Sequence, residues 1–256
     1  MIKLNFIFDK TKKSSSLKKI LSRKYKNYSP AKADFIVVSG GDGFMLNSLK
    51  KLYKYNKPFY GINCGTYGFL MNVYSSNNLE QRIIKAKKTL INPLELTAIN
   101  KNNNKKKSIA INEVSLFRQS RQTASIRLKV GKKIIIKKLI ADGILVSTPA
   151  GSTAYNLSVH GPILSLNSEK LAITPISPFR PRRWKGKIVS NKSIIEVRNL
   201  DFNKRPLAAV ADNIEIRNVK FLKIKINKSI RLNLLYDKNR SLVKRIKIEQ
   251  IRRITY

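Results

Sequence analysis

The sequence predicts a chain of two classes, an α/β N-terminal domain on a parallel sheet followed by an all-β C-terminal domain. Three observations predict it. Apolar runs alternate with stretches of helical spacing over the first third. From about residue 90, short β-branched segments replace them. Glycine-rich loops follow two apolar runs of the first part, where a parallel sheet places its ligands.

The elements follow in order. "IKLNFIF" (2–8) reads as a strand and "SLKKILSRKYK" (16–26) as a helix. "FIVVS" (35–39) is a buried strand, "FMLNSLKKLYKY" (44–55) a helix, and "PFYGIN" (58–63) a third strand. "NLEQRIIKAKK" (78–88) has helical spacing at Leu79, Ile83 and Ile84, with Asn77 or Asn78 as cap. Beyond it, "LELTAI", "SIAINEVSLF", "SIRLKV", "KIIIKKLIA", "GILVST", "LAITPI", "SIIEV", "LAAVA", "FLKIKI" and "IRLNLLY" read as strands, with a hairpin turn through Gly131 in "KVGKKI". The boundary near "TLINP" (89–93) divides residues 1–90 from 91–235. The tail 236–256 reads as a helix or strand returning to the first domain.

Composition narrows the classes. Hydrophobic residues make up 42% of 256, enough for a core. Lys and Arg total 53 against 14 Asp and Glu, a formal charge of +39. Such a charge suits a polyanionic partner, nucleic acid or anionic membrane. It also follows from compositional drift, since Lys, Asn and Ile all have A/T-rich codons. The spread of lysines along the chain favours drift, and "KKK" (105–107) beside "NKNNN" reads as a solvated loop. Cys64 is the single cysteine, which excludes an intramolecular disulfide or Cys-based zinc site and fits a reducing cytoplasm. The N-terminus lacks the pattern of a signal peptide, and no run approaches the roughly 18 apolar residues of a membrane helix, so no membrane partner is expected. A triad mechanism would have to run through His160, the single histidine, for which a satisfied structural role is expected.

Four stretches carry the chemistry. In "SGGDGFML" (39–46), Gly40, Gly41 and Gly43 let backbone N–H groups meet a phosphate at the start of a helix. Asp42 among them is electrostatically costly beside a polyanion unless the carboxylate acts as a general base or through a metal. The stretch is neither a P-loop nor a dinucleotide fingerprint, because G-K-[ST] and G-x-G-x-x-G are both missing. "GINCGTYGFL" (61–70), with Asn63, is a second glycine-rich loop that could line the same cleft. In "INEVSL" (111–116), Asn112 and Glu113 interrupt an apolar strand and would point to opposite faces unless the backbone bulges. In "ADGILVSTPAGSTAYNLSVHGPIL" (141–164), Asp142 opens a strand and a dense run of Gly, Ser and Thr forms a turn and short helix capped by Ser152 or Thr153.

These elements in this order resemble the NAD kinase family, whose first motif is shared with diacylglycerol and sphingosine kinases and with phosphofructokinases. "GGDG", "GIN-G--GFL", "NE" and "DG----TP-GSTAY-LS--GP" match the family pattern over nearly the whole chain, and "ITPISPFRPRRW" (173–184) looks like the alphaproteobacterial form. The resemblance implies transfer of the γ-phosphoryl group of ATP, or of polyphosphate, to the 2′-hydroxyl of the adenosine ribose of NAD, giving NADP. Asp42 would accept the hydroxyl proton. Gly40, Gly41 and Gly43 would leave room for the donor, whose phosphates carry Mg²⁺, with no protein metal site. Residues 1–90 would bind the donor, and 91–235 would bind NAD and oligomerise. Asn112 would meet the adenine end, Glu113 a ribose, and Asp142 the amide or adenine, across a subunit boundary in one version. Asn63, Ala150, Thr153, Ala154, Tyr155, Asn156, Leu157 and Ser158 would line the dinucleotide, with Tyr155 as an aromatic platform. Phe44, Tyr67 and Ala150 depart from the usual Thr, Leu and Thr, and Asn213 in "VADNIEI" takes the place of His or Gln. A cytoplasmic homotetramer or homodimer is implied. A lipid or sugar kinase sharing "GGDG", a nucleic-acid-binding protein and a noncatalytic NAD sensor are the competing readings. "NE" with "TPAGSTAY" opposes the first, the lack of a nucleic-acid motif the second, and the intact Asp42 the third.

Overall fold

The computed structural model describes residues 2–66 and 68–238, together with Lys244 and Ile246. The chain divides into two compact units, one containing the chain up to Asn92 and from Ser229 on, the other Pro93–Lys228.

The first unit alternates strand and helix through β1 (Leu4–Phe8), α1 (Lys12–Lys24), β2 (Phe35–Gly40), α2 (Asp42–Leu52), β3 (Phe59–Asn63), α3 (Leu79–Lys85) and β4 (Lys87–Ile91). β1, β2 and β3 pair in parallel. A returning strand, Leu232–Tyr236, lies between β3 and β4, parallel to the first and antiparallel to the second. The sheet is therefore mixed, not wholly parallel as expected. "IRLNLLY", assigned by its texture to the β-rich region, is that strand. Alternation reports a strand but not which sheet receives it. Of the tail, residues 239–243, 245 and 247–256 lie outside the described residues, as does Tyr67.

Helix boundaries moved where capping outweighs periodicity. α1 begins at Lys12 because the Thr11 side chain accepts from the Ser14 N–H; Leu17 and Leu21 form its buried stripe. α2 begins at Asp42, with Gly41 as cap and Asp42 in the first turn, where a carboxylate suits the helix dipole. α3 stops at Lys85 because Lys87–Ile91 pairs with the returning strand. Asn78 occupies its cap position at φ 49° but makes no side-chain capping bond.

The second unit contributes β5 (Leu94–Asn100), β6 (Lys105–Ala110), β7 (Glu113–Arg118), β8 (Ala124–Val130), β9 (Lys133–Ala141) and β10 (Gly143–Ser147). It continues with α4 (Tyr155–Ser158), β11 (Lys170–Ile176), β12 (Lys187–Ser190), β13 (Ile195–Asn199), β14 (Leu207–Ala211), β15 (Ile214–Ile216) and β16 (Val219–Ile226). Two six-stranded sheets result, ordered β12-β11-β10-β7-β14-β15 and β6-β5-β16-β13-β8-β9. Their inward residues, among them Leu96, Leu128, Val197 and Leu222 from one and Val114, Leu116, Ile144 and Ile173 from the other, form one buried cluster. The β8–β9 hairpin turns through Gly131 at φ 56°, as expected. Lys105, Lys106 and Lys107 lie in β6, not in a loop, with exposed side chains. No helix among the described residues is long and apolar enough to cross a membrane.

A polar cluster fixes the returning strand in the first unit. The buried Tyr60 hydroxyl donates to Asp237 Oδ1 at 2.6 Å, and Arg82 reaches Asp237 Oδ2 at 2.7 Å. Asn72 donates to the Leu235 carbonyl and accepts from the Asp237 N–H. Burial, then the Asp237 acceptor, pushes the Tyr60 phenol far above its usual pKa. Asp237→Ala leaves a buried hydroxyl without its acceptor and is expected to cost about 1–3 kcal/mol in chemical denaturation; an unchanged unfolding midpoint would contradict this account.

Candidate active site

In the α/β unit, the glycine loop runs from the end of β2 into α2, where the parallel strands present their carboxyl ends. Asp42 reaches back to the second glycine-rich loop. Its Oδ2 accepts from the Phe69 N–H at 2.6 Å and its Oδ1 from the Leu70 N–H at 3.0 Å. Gly68 permits this approach, since a Cβ there would lie 2.8 Å from Asp42 Oδ1. The two loops are thus joined through one carboxylate.

The three glycines of "GGDG" differ. A Cβ on Gly41 or Gly43 would meet nothing within 4 Å, so both face open space. A Cβ on Gly40 would lie 2.8 Å from the Phe44 ring and 2.9 Å from Asp9 Oδ2. Gly40 therefore packs against its own chain, where a side chain would not fit. Asn63 is half-buried at the end of β3, and its Oδ1 accepts from the Gly65 N–H at 2.9 Å, shaping the turn.

In the β unit, the expected continuous strand through "SIAINEVSLF" is broken at Ile111–Asn112, between β6 and β7. The face-alternation argument for Asn112 and Glu113 therefore does not apply. Asp212 accepts from the N–H groups of Ile111 and Asn112, each at 2.9 Å, and of Glu113 at 3.4 Å. The Thr148 N–H donates to the Asn112 carbonyl at 2.9 Å, and its hydroxyl to the Ile111 carbonyl at 2.8 Å. Gly151 packs beneath, where a Cβ would lie 2.2 Å from the Asn112 oxygen.

Tyr155, Glu113 and Asp142 share one neighbourhood. Burial first, then the negative charges of Glu113 and Asp142, raise the Tyr155 phenol pKa. The Tyr155 ring packs on Phe117, with centroids 5.7 Å apart. Asp142 pairs with Arg118 at 2.6 Å, and Arg118 is also held by the Ser120 and Arg121 carbonyls.

The hydroxyl-rich turn is more structural than expected. Ala150–Thr153 forms a 3₁₀ turn, and α4 has Ala154 as cap with no side-chain bond. Ser152 and Thr153 therefore do not cap it. Ser152 instead donates to the Pro149 carbonyl and accepts from the Leu164 N–H. Asn156 is fully buried. Its amide donates to the Ser152 and Pro162 carbonyls and accepts from the Thr174 hydroxyl. That amide braces the turn from within. Ala150 and Thr153 are buried, Ala154, Tyr155 and Leu157 half-buried, and Ser158 and Asn213 exposed. His160 is exposed at φ 61°, not a satisfied core histidine.

Reading the sequence missed Asp212, Thr148, Arg118 and Phe117. The signal for Asp212 was available, since it adjoins Asn213 in the stretch singled out for a polar contact. Gly151→Ala forces a Cβ against the Asn112 carbonyl and is expected to cost about 1–3 kcal/mol, read as a lowered denaturation midpoint; wild-type stability would show that the loop can move aside.

Comparison with known proteins identifies the assembly. Residues 4–90 match the model of the ATP-NAD kinase N-terminal domain, and residues 111–235 that of the ATP-NAD kinase C-terminal domain. An NAD kinase of Zymomonas mobilis is 45% identical over 98% of this chain and 98% of its own length. One of Caulobacter vibrioides is 45% identical over 90% of this chain and 88% of its own. The crystal structure of an NAD kinase from Archaeoglobus fulgidus in complex with ATP superposes with a TM-score of 0.75 over 93% of this chain and 95% of that one, at 23% identity, which shows the shared fold. With both domain models matched in chain order and such identity spanning nearly the full length, the chain belongs to the NAD kinase family.

Proposed function

We propose that this protein transfers the γ-phosphoryl group of ATP to the 2′-hydroxyl of the adenosine ribose of NAD, giving NADP and ADP. The observation that carries the reading is the placement of Asp42. One carboxylate is fixed by two backbone N–H groups at the N-terminus of α2, between two glycines that face open space.

A ribose hydroxyl is a weak nucleophile at neutral pH. Asp42 accepts its proton as the oxygen attacks the γ-phosphorus and the bond to ADP breaks. Gly41 and Gly43 admit the triphosphate to the backbone, and the dipole of α2 favours its charge. Asn112 addresses the adenine end of NAD, Glu113 a ribose, and Tyr155 offers its ring as a platform braced by Phe117. Asp142, with Arg118 to neutralise it, borders the same ground.

No group of three His, Cys, Asp or Glu side chains among the described residues gathers to hold a metal. A Mg²⁺ carried by the nucleotide phosphates would offset phosphate charge in this reading. Polyphosphate is a second donor within the same reading. The chain acts in the cytoplasm as a homodimer or homotetramer, and native mass spectrometry at micromolar concentration is expected to show one of these; monomer alone would remove that part.

The central test is NADP formation from NAD, ATP and Mg²⁺, beside Asp42→Asn. Removing the base is expected to lower kcat by roughly 100-fold or more, with the KM for ATP changing little. Equal rates would remove Asp42 as base, and no activity in either protein would remove the reaction.

A further inference from the structure

We propose that Asp212 is the positioning residue for NAD, fixing the Asn112–Glu113 loop from the turn between β14 and β15. The proposal rests on the reading that this loop holds the dinucleotide.

The geometry is specific. In a strand, successive N–H groups point to opposite sides. Here the N–H groups of Ile111, Asn112 and Glu113 all donate to one carboxylate, Oδ2 taking the first and Oδ1 the other two. Consecutive N–H groups converging in this way form an anion nest, and Asp212 supplies the anion from within the chain. The Asp212 N–H donates in turn to the Glu113 carbonyl at 3.2 Å. β14 pairs with β7 in register up to Ala211↔Val114, so the turn is delivered beside the loop. Asp212 adopts φ 52°, a left-handed conformation that Asp tolerates better than most residues.

On the carbonyl side, Thr148 holds Ile111 and Asn112. The loop backbone is thus committed internally from both sides. What the loop offers a ligand is offered by the Asn112 and Glu113 side chains, and their aim depends on the nest being filled. Asp212 acts through the loop whose N–H groups it holds, which makes it a positioning residue.

Asp212→Asn would set an amide NH₂ against an N–H donor. Asp212→Gly accepts φ 52° without strain but has no acceptor. Both variants are expected to raise the KM for NAD at least tenfold, leave the KM for ATP within about twofold, and speed amide hydrogen exchange at Asn112 and Glu113 at least tenfold. A purely structural role would lower the active fraction and the melting temperature while leaving the KM for NAD unchanged, and that result overturns the proposal. A glycine variant with wild-type KM for NAD would assign the effect to backbone conformation and overturns it as well. Unchanged exchange would show that Asp212 does not hold the loop. Asn112→Ala, run alongside, separates the two failures: an unchanged KM for NAD there refutes the loop as the NAD site, whereas a raised KM in Asn112→Ala with none in the Asp212 variants refutes only the positioning role.

Discussion

The structure depends on one recurring interaction, an aspartate that closes an irregular loop by accepting its backbone N–H groups. Strand ladders satisfy the backbone where the sheets run, but the site loops lie where the ladders stop. Each N–H there needs a partner or the loop collapses into something else. Asp42 meets this need for Phe69 and Leu70, and Asp212 for Ile111 through Glu113. Such bonds to a carboxylate are stronger than neutral ones and fix direction as well as distance. In a chain with 14 acidic residues against 53 basic ones, carboxylates are scarce, which makes the loops they hold informative. Asp237 differs, accepting from the Tyr60 hydroxyl and the Arg82 guanidinium, while Asp9 accepts from the Thr11 N–H before α1.

This scarcity changes the meaning of the glycine pattern. A glycine-rich loop is usually read for what it lets in from outside. Here several glycines admit other parts of the chain. Gly68 admits the Asp42 carboxylate, Gly151 the Asn112 carbonyl, and Gly40 the Phe44 ring. Gly41 and Gly43 alone in "GGDG" face open space. A motif can therefore be complete in sequence while only part of it faces open space, the rest holding that part in place.

How far the sequence could be read follows the range of the interactions. β2, β3 and most strands of the β unit were legible because alternation and β-branching are local, while the short β12 and β15 were not. The "GGDG" loop was legible because three glycines around one carboxylate have few other uses. The break at Ile111–Asn112 was not, because its cause lies 101 residues away in Asp212 and 37 away in Thr148. The returning strand was misassigned for the same reason, its partners β3 and β4 being distant in the chain. The turn around "STPAGSTAY" was misread differently. Ser152 was read as a helix cap and Asn156 as a ligand group, yet both bond the turn itself, since a buried turn must satisfy its own carbonyls.

The same reasoning limits the chemistry. A covalent relay would need a nucleophile or a histidine beside the loops that carry the site. Cys64 is buried against Ser39, and burial raises its thiol pKa, which disfavours the reactive thiolate. His160 lies exposed just beyond α4. What remains beside the open glycines is a fixed carboxylate and the backbone at the start of a helix. Those groups suit direct phosphoryl transfer, where acceleration comes from position and charge compensation and no enzyme-bound intermediate is required. Fixing Asp42 with two backbone N–H bonds makes its geometry part of the fold.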